Sequence, residues 1–231
     1  MRLSVFFALS LIAAACTSPQ RPAPQRQLSG PVAYVNPLIG TAPATTPSAL
    51  AHSEAESELK GQVYPATGIP FGMTQWSPQT RSSEKKCLPP YYYNDDRIQG
   101  FRASHWMSGS CTQDYGSFTI SAITGSVGAE TDSVSSRFSH EREFASPAYY
   151  AVDLPDYGIR AEMSGTSRAG ILRFTVEKAD TVHLIFRPNS DEGEGYVEVR
   201  PGQQEASGYN PVHRIYQGWG ESAGFSGHFA A

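Results

Sequence analysis

The sequence predicts an all-β fold, an antiparallel β-sandwich with an irregular, loop-rich N-terminal third. Three observations carry this. Apolar and polar residues alternate with period two through most of residues 117–217. Turn-forming clusters separate these runs at about ten-residue spacing, the pattern of an antiparallel sandwich or barrel. The composition is turn-rich and aromatic, with 21 Gly, 17 Pro and 12 Tyr in 231 residues, and helical periodicity is nearly absent.

Residues 31–116 hold few clean alternations; the best helix candidate there is the short segment 53–60. Strand-like runs begin at 117–123. The run 148–154 carries Tyr149, Tyr150 and Val152. Ile159, Ala161 and Met163 then alternate with Arg160 and Glu162, and Leu172, Phe174 and Val176 with Arg173 and Thr175. Val182, Leu184 and Phe186 follow, then Val197 and Val199 around Glu198, and a short run ends at Ile215 and Tyr216. Turns are expected at Pro155-Asp156, Ser164-Gly165, 178–180, Pro188-Asn189, Pro201-Gly202 and Ser207-Gly208. Residues 218–231 read as the start of a further strand, cut short. The chain is therefore expected to be a truncated or fragmentary part of a longer protein.

The N-terminus reads as an export signal. Arg2 is followed by an uncharged stretch, residues 3–15, ending in three alanines. That run is about 13 residues, short of the ~20 a membrane-spanning helix needs. Ala13, Ala14 and Ala15 precede Cys16 as in a bacterial lipobox, with Ala13 where Leu is usual. Residues 1–15 are thus expected to be removed as a signal peptide, and Cys16 to carry lipid as the first mature residue. Residues 16–30, rich in Pro, Gln and Ser, cannot bury enough apolar surface to order themselves and read as a tether. The expected location is the cell envelope, as a periplasmic or outer-membrane lipoprotein held to the membrane by its lipid alone.

Charge excludes one class of partner. The chain carries 18 Lys and Arg against 22 Asp and Glu, a net charge of -4, and losing Arg2 with the signal takes it to -5. A mildly acidic, dispersed charge gives nucleic acid nothing to bind. With Cys16 lipidated, Cys87 and Cys111 remain. Outside the cytoplasm they could close a loop of about 25 residues as a disulfide worth ~3 kcal/mol, or face a ligand.

Nucleophilic catalysis has no signature here: there is no Gly-x-Ser-x-Gly elbow, and Cys111 with His105 matches no family spacing. Cys87, His105 and Cys111 lack zinc spacing. His52, Glu54, Glu56 and Glu58 read as a solvated strip, Asp95-Asp96 and Asp191-Glu192 as turn residues, and Glu141 and Glu143 as surface charges. The informative cluster is aromatic and polar: Trp76, Tyr91, Tyr92, Tyr93, Phe101, His105, Trp106 and Trp219, interleaved with Arg81, Arg102, Gln113 and Asp114. Sugars present C–H faces to flat aromatics and hydroxyl edges to carboxylate, Arg and amide groups. His105, Trp106 and Asp114, in a Gly/Ser loop, are the strongest candidates.

With NPLIGT at 36–41, YPATGIPFGMTQWSPQT at 64–80 and SHWMSGS at 104–110, the sequence resembles glycoside hydrolase family 92. The segment NPLIGT at 36–41 resembles the family's opening signature, and YPATGIPFGMTQWSPQT at 64–80 its Y-P-G-A-x-x-P-F-G-M-x-Q-x-S-P-x-T block. The tyrosines 91–93, IQGFR at 98–102, SHWMSGS at 104–110 and DYG at 114–116 fit its next loop. AYYAV at 148–152, IRAEM at 159–163, TSRAG at 166–170, RIY at 214–216 and AGFSG at 223–227 continue in order.

The resemblance implies an exported, inverting, calcium-dependent α-mannosidase family. It implies an N-terminal sandwich of the galactose-mutarotase-like super-sandwich kind and an (α/α)6 barrel that supplies the catalytic carboxylates and calcium ligands. Residues 31–231 would be the N-terminal sandwich domain. No catalytic residue, metal ligand or calcium is expected in this chain alone. It would instead contribute leaving-group-side contacts to a mannose-containing glycan through Glu84, Lys86, Cys87, Arg102, His105, Trp106 and Asp114. Glu84 and Asp114 would accept hydroxyl hydrogen bonds, or Asp114 would brace the loop. Two departures point away from an α-1,2 linkage. Residues 83–87, SEKKC, lack the Trp expected before the cysteine, and the H-x-H-L-S-G-T-G-C loop reads SHWMSGSC at 104–111. The alternatives are a stand-alone carbohydrate-binding lipoprotein and a non-functional gene fragment.

Overall fold

The computed structural model describes residues 29–51, 61–80, 88–107, 114, 117–127, 134–178, 181–189, 194–213 and 220–231. Cys16, Arg81, Glu84, Lys86, Cys87, Cys111, Gln113, Trp219, the helix expected at 53–60 and the run at 215–216 lie outside the described residues. The described helices are a five-residue α1, Pro47–Ala51, and three short 3-10 turns.

Among the described residues, twelve strands make three antiparallel sheets. The first contains β1 (Gln75–Thr80), β2 (Arg97–Ser104), β3 (Phe118–Thr124) and β9 (Val182–Pro188) in that order, with the two-residue β4 (Ser136–Arg137) also pairing β2. The second runs β5 (Glu143–Ser146), β6 (Tyr149–Leu154), β7 (Ile159–Gly165), β8 (Gly170–Val176). The third runs β10 (Tyr196–Arg200), β11 (Glu205–His213), β12 (Ser222–Ala230). The all-β sandwich expected from the alternating runs is what the chain forms. Residues 218–231, read as the start of a strand, contain nine-residue β12, paired along β11. The turn expected at Ser207-Gly208 lies inside β11, where Gly208 lets the backbone of Tyr196 and the ring of Phe229 approach closely.

The core lies between the first two sheets, whose inward side chains interleave as in other face-packed sandwiches. Ile98, Phe101, Ala103, Phe118, Ile120 and Ala122 of the first meet Tyr150, Val152, Leu154, Ile159, Ala161 and Met163 of the second. Phe101 sits 6.4 Å from Tyr150 and 5.9 Å from Phe174, ring centre to ring centre. Trp76 is core, not surface. Its indole lies on Gly165 and Gly170, which face each other at the end of the β7–β8 hairpin. A Cβ on Gly170 would stand 2.1 Å from the indole, so only glycine leaves room for the ring there.

The outer face of the first sheet is also buried, but polar. Ser77, Gln79, Arg102, Ser104, Thr119 and Ser121 are all covered. Gln79 bonds both Thr119 and Gln99, and Ser121 donates to the carbonyl of Gln99. On the inner side, β8 ends its sheet. Beside it an apolar slot of about 550 Å³ opens over Ile120, Leu184 and Phe186, with Phe229 of β12 opposite.

Candidate functional site

A cleft of about 490 Å³ opens at the β1–β2 end of the sandwich, lined by Val63, Tyr64, Ala66, Gly72, Met73, Gln75 and residues 104–107. Its floor is set by strand pairing. Gln75 of β1 stands opposite Ser104 of β2, and the chain leaves β2 through His105, Trp106 and Met107. The other wall is the segment 63–73. It is pinned by an isolated bridge between Thr67 and Trp76 and by the amides of Met73 and Thr74, which donate to the carbonyl of Ser167.

Asp114 braces the exit of β2. One carboxylate oxygen accepts the amide of His105 at 2.6 Å, and the other accepts the hydroxyl of Ser104 at 2.8 Å. Arg102 lies 3.8 Å away, and both side chains are buried. Burial pushes the Asp114 carboxyl up from its ordinary range, against the Arg102 charge and the two hydrogen bonds, which pull it down. Ser104 Oγ also accepts the amide of Trp106 at 3.2 Å, so the carboxylate fixes three consecutive residues.

His105 is oriented by Thr74, the residue just before β1. Its Nε2 lies 3.0 Å from Thr74 Oγ1, while Nδ1 lies 4.0 Å from Asp114. Trp106 is buried and packs edge-on against Tyr64, centres 5.9 Å apart, in a small cluster with Tyr91. The Tyr64 hydroxyl reaches Gln75 Oε1 at 2.8 Å and the Trp106 carbonyl at 3.0 Å. Burial pushes its pKa up to about 12, so it stays a neutral donor.

Of the residues expected to face substrate, the structure brings four together: Arg102, His105, Trp106 and Asp114. His105 and Trp106 line the cleft, whereas Arg102 and Asp114 lie behind it and hold its wall. Sequence reasoning did not select Val63, Tyr64, Met73, Gln75 or Met107. Tyr64 and Gln75 belong to the quoted 64–80 block, but a motif does not reveal which members turn toward a hollow. Glu143, read as a surface charge, is a correction: its side chain is 0 % exposed and accepts hydroxyls from Tyr91 and Tyr150.

Chemically, the cleft offers an imidazole, a phenol, an amide and a hydroxyl beside apolar Val63, Ala66, Met73 and Met107. That mixture suits a ligand with hydroxyl edges and C–H faces. Among the described residues no Asp or Glu lines it. Among the described residues no group of three or more His, Cys, Asp or Glu is placed to hold a metal ion. Among them, too, no helix is long and apolar enough to cross a membrane.

A family profile described as the glycosyl hydrolase family 92 N-terminal domain matches residues 34–231. No curated protein matches. Among solved structures, the family GH92 inverting mannosidase BT2199 from Bacteroides thetaiotaomicron is similar at 27% identity and a TM-score of 0.67, over 86% of this chain and 24% of its own. The family GH92 α-mannosidase BT3965 from the same organism is 30% identical with a TM-score of 0.62, over 85% of this chain and 25% of its own. Its complex with mannoimidazole aligns at 29% identity and a TM-score of 0.61, again over 86% of this chain and 24% of its own. The chain thus spans about a quarter of the length of these solved relatives.

Proposed function

Since this chain belongs to glycosyl hydrolase family 92, as its N-terminal domain, we propose that it binds one side of a mannose-containing glycan at the 63–75/104–107 cleft. The reaction, inverting hydrolysis at a calcium-dependent site, would be completed by a C-terminal catalytic domain. The observation that carries this reading is the one-sided cleft itself. It has sugar-binding chemistry in His105, Tyr64 and Gln75 beside an aromatic wall. The two Bacteroides relatives, both mannosidases, support mannose as the sugar. Glu84, Lys86 and Cys87 are proposed to extend the same surface.

The cleft residues have separable tasks. His105, set by Thr74, presents its ring to a sugar hydroxyl. Tyr64, neutral at physiological pH, donates or accepts beside it. Asp114 does not touch the sugar; it holds His105 and Trp106 where they are. Calcium would polarise the substrate when bound, through ligands of the catalytic domain, and the role of this chain does not run through it. The export signal and the lipid on Cys16 are part of the same proposal: a glycan-processing module tethered at the cell envelope.

The test is a titration of the purified chain with methyl α-mannoside, followed by chemical-shift changes. Binding in the millimolar range, about -4 kcal/mol, is expected, with shifts at residues 64, 75 and 105–107 and loss in His105→Ala. No perturbation at saturating sugar would overturn the binding role. Calcium-dependent hydrolysis of an aryl α-mannoside by this chain alone would overturn the claim that catalysis is completed elsewhere.

A further inference from the structure

Behind the cleft wall, the side chain of His140 is gripped from both ends. Nδ1 lies 2.6 Å from Glu143 Oε2, and Nε2 lies 2.9 Å from the carbonyl oxygen of Tyr93. A carbonyl oxygen can only accept. The Glu143 carboxylate already accepts the Tyr150 hydroxyl at 2.6 Å and the Tyr91 hydroxyl at 3.0 Å. Both imidazole nitrogens must then donate, and only the imidazolium has two N–H groups. The ring is also stacked flat on Tyr93 at 3.8 Å and 4°, with Phe138 edge-on at 5.3 Å.

We infer that His140, as an imidazolium, is a positioning residue that latches the aromatic wall of the proposed sugar cleft, so that the cleft loosens when His140 loses its proton. The inference rests on the proposed sugar site for its consequence, though not for the latch. The connection is physical at each step. Glu143 holds His140 and Tyr91 together; Tyr91 is fully buried; and it packs in one cluster with Tyr64 and Trp106, which line the cleft. Loss of one proton leaves a ring-nitrogen lone pair facing either the carboxylate or the Tyr93 carbonyl, and the grip must open.

The groups facing the ring agree in sign. Glu143 of β5 is its direct partner. Asp95 and Asp96 of the loop before β2 and Glu141 of its own turn border the same hollow as His140. Arg142, next in its turn, is engaged by Asp153 of β6, and Arg160 of β7 by the same carboxylate. Tyr91, Tyr93 and Tyr150 are the remaining titratable groups of the cluster. Burial, then the Glu143 charge, holds Tyr91 and Tyr150 well above the usual phenol range, so both remain donors. The hydrogen bond to Glu143 raises the His140 pKa above its ordinary value, against partial desolvation. A raised histidine pKa stabilises the fold fully below the unfolded value, about 6.5, and that contribution is lost as pH rises through the folded value.

The test follows the side-chain nitrogen shifts of His140 in the full chain from about pH 5 to 10, beside methyl α-mannoside titrations at both ends of the transition. His140 is expected to titrate above the ordinary value of about 6.5. Mannoside affinity should fall by about fivefold or more across the same transition, and Glu143→Gln should abolish that pH dependence. Titration of His140 at or below the ordinary value overturns the latch, and this arm uses the unmutated chain, so poor folding of the variant cannot obscure it. Mannoside binding that ignores the His140 transition overturns the coupling to the cleft. A high His140 titration with no mannoside binding at any pH upholds the latch and sinks the sugar-site reading instead.

Discussion

Replacing Gly170 with alanine adds a single methyl group, and the structure places it inside the Trp76 ring. The new carbon would lie 2.1, 2.3 and 2.6 Å from three indole atoms. The indole cannot retreat: it is buried, with Phe118 edge-on at 5.9 Å, and a Cβ on Gly165 would itself stand 2.9 Å from the indole. Relief must come from strand displacement or an off-rotamer tryptophan, so the cost is that of overpacking, about 1–3 kcal/mol. For a domain of this size each kcal/mol moves the melting midpoint by about 2–4 °C, giving a drop of about 2–12 °C. Scanning calorimetry on Gly170→Ala measures it, with Gly202→Ala as control, since a Cβ there meets nothing within 4 Å. In a Trp76→Phe background the smaller ring should accept the methyl at reduced cost. A Gly170→Ala midpoint within about a degree of the parent, or an equal loss in the Trp76→Phe background, would refute the assignment of the glycine pair as the seat of the indole.

Other outcomes follow from single contacts. Asp114→Ala strands the Ser104 hydroxyl and the His105 amide and should cost about 2–4 kcal/mol in chemical denaturation, with mannoside binding lost; Asp114→Asn should recover part of both. Phe71 holds a φ of 61° with its side chain fully exposed, so Phe71→Gly should raise stability by up to about 1 kcal/mol, the reverse of the usual Phe→Gly result. The hydrogen bond from Arg137 depresses the Asp156 carboxyl, and that from Arg173 depresses Glu162. Their contributions are present above the unfolded carboxylate pKa, about 4, and are lost as pH falls through the lower folded values. The acid limb of a stability–pH profile should therefore flatten in the double variant Asp156→Asn/Glu162→Gln; an unchanged limb would show that other carboxylates govern it.

The period-two signal is clearest where one face of a strand is wet, and it fades in β1 and β2, which are dry on both. Residues 159–163 and 172–176 alternate cleanly because β7 and β8 each keep one face toward solvent, and they form the strands expected of them. Strands β1 and β2 are covered on both sides, so Ser77, Gln79, Arg102 and Ser104 face a buried polar layer and the period-two signal disappears. Pro78 within β1 disguises it further. Glu143 misleads for the same reason: only three-dimensional neighbours, Tyr91, Tyr150 and His140, turn a charge in a polar stretch into a buried hub. At the cleft, the 104–106 loop was legible as chemistry because its residue types are unusual for a loop. For Asp114 the sequence left open a hydroxyl contact or a bracing role; its hydrogen bonds from the Ser104 hydroxyl, ten residues away, and the His105 amide show the bracing.

The bare edge of β8 has a consequence for the lifetime of the protein in a cell. Ile171 is exposed on that strand, Leu184 is exposed in the slot beside it, and among the described residues no strand pairs its outer edge. Such an edge invites pairing between chains, and local opening there offers extended backbone to proteases. The charges that natural sheets use to guard such borders are represented along β8 by Arg173 alone, and Glu162 already engages it.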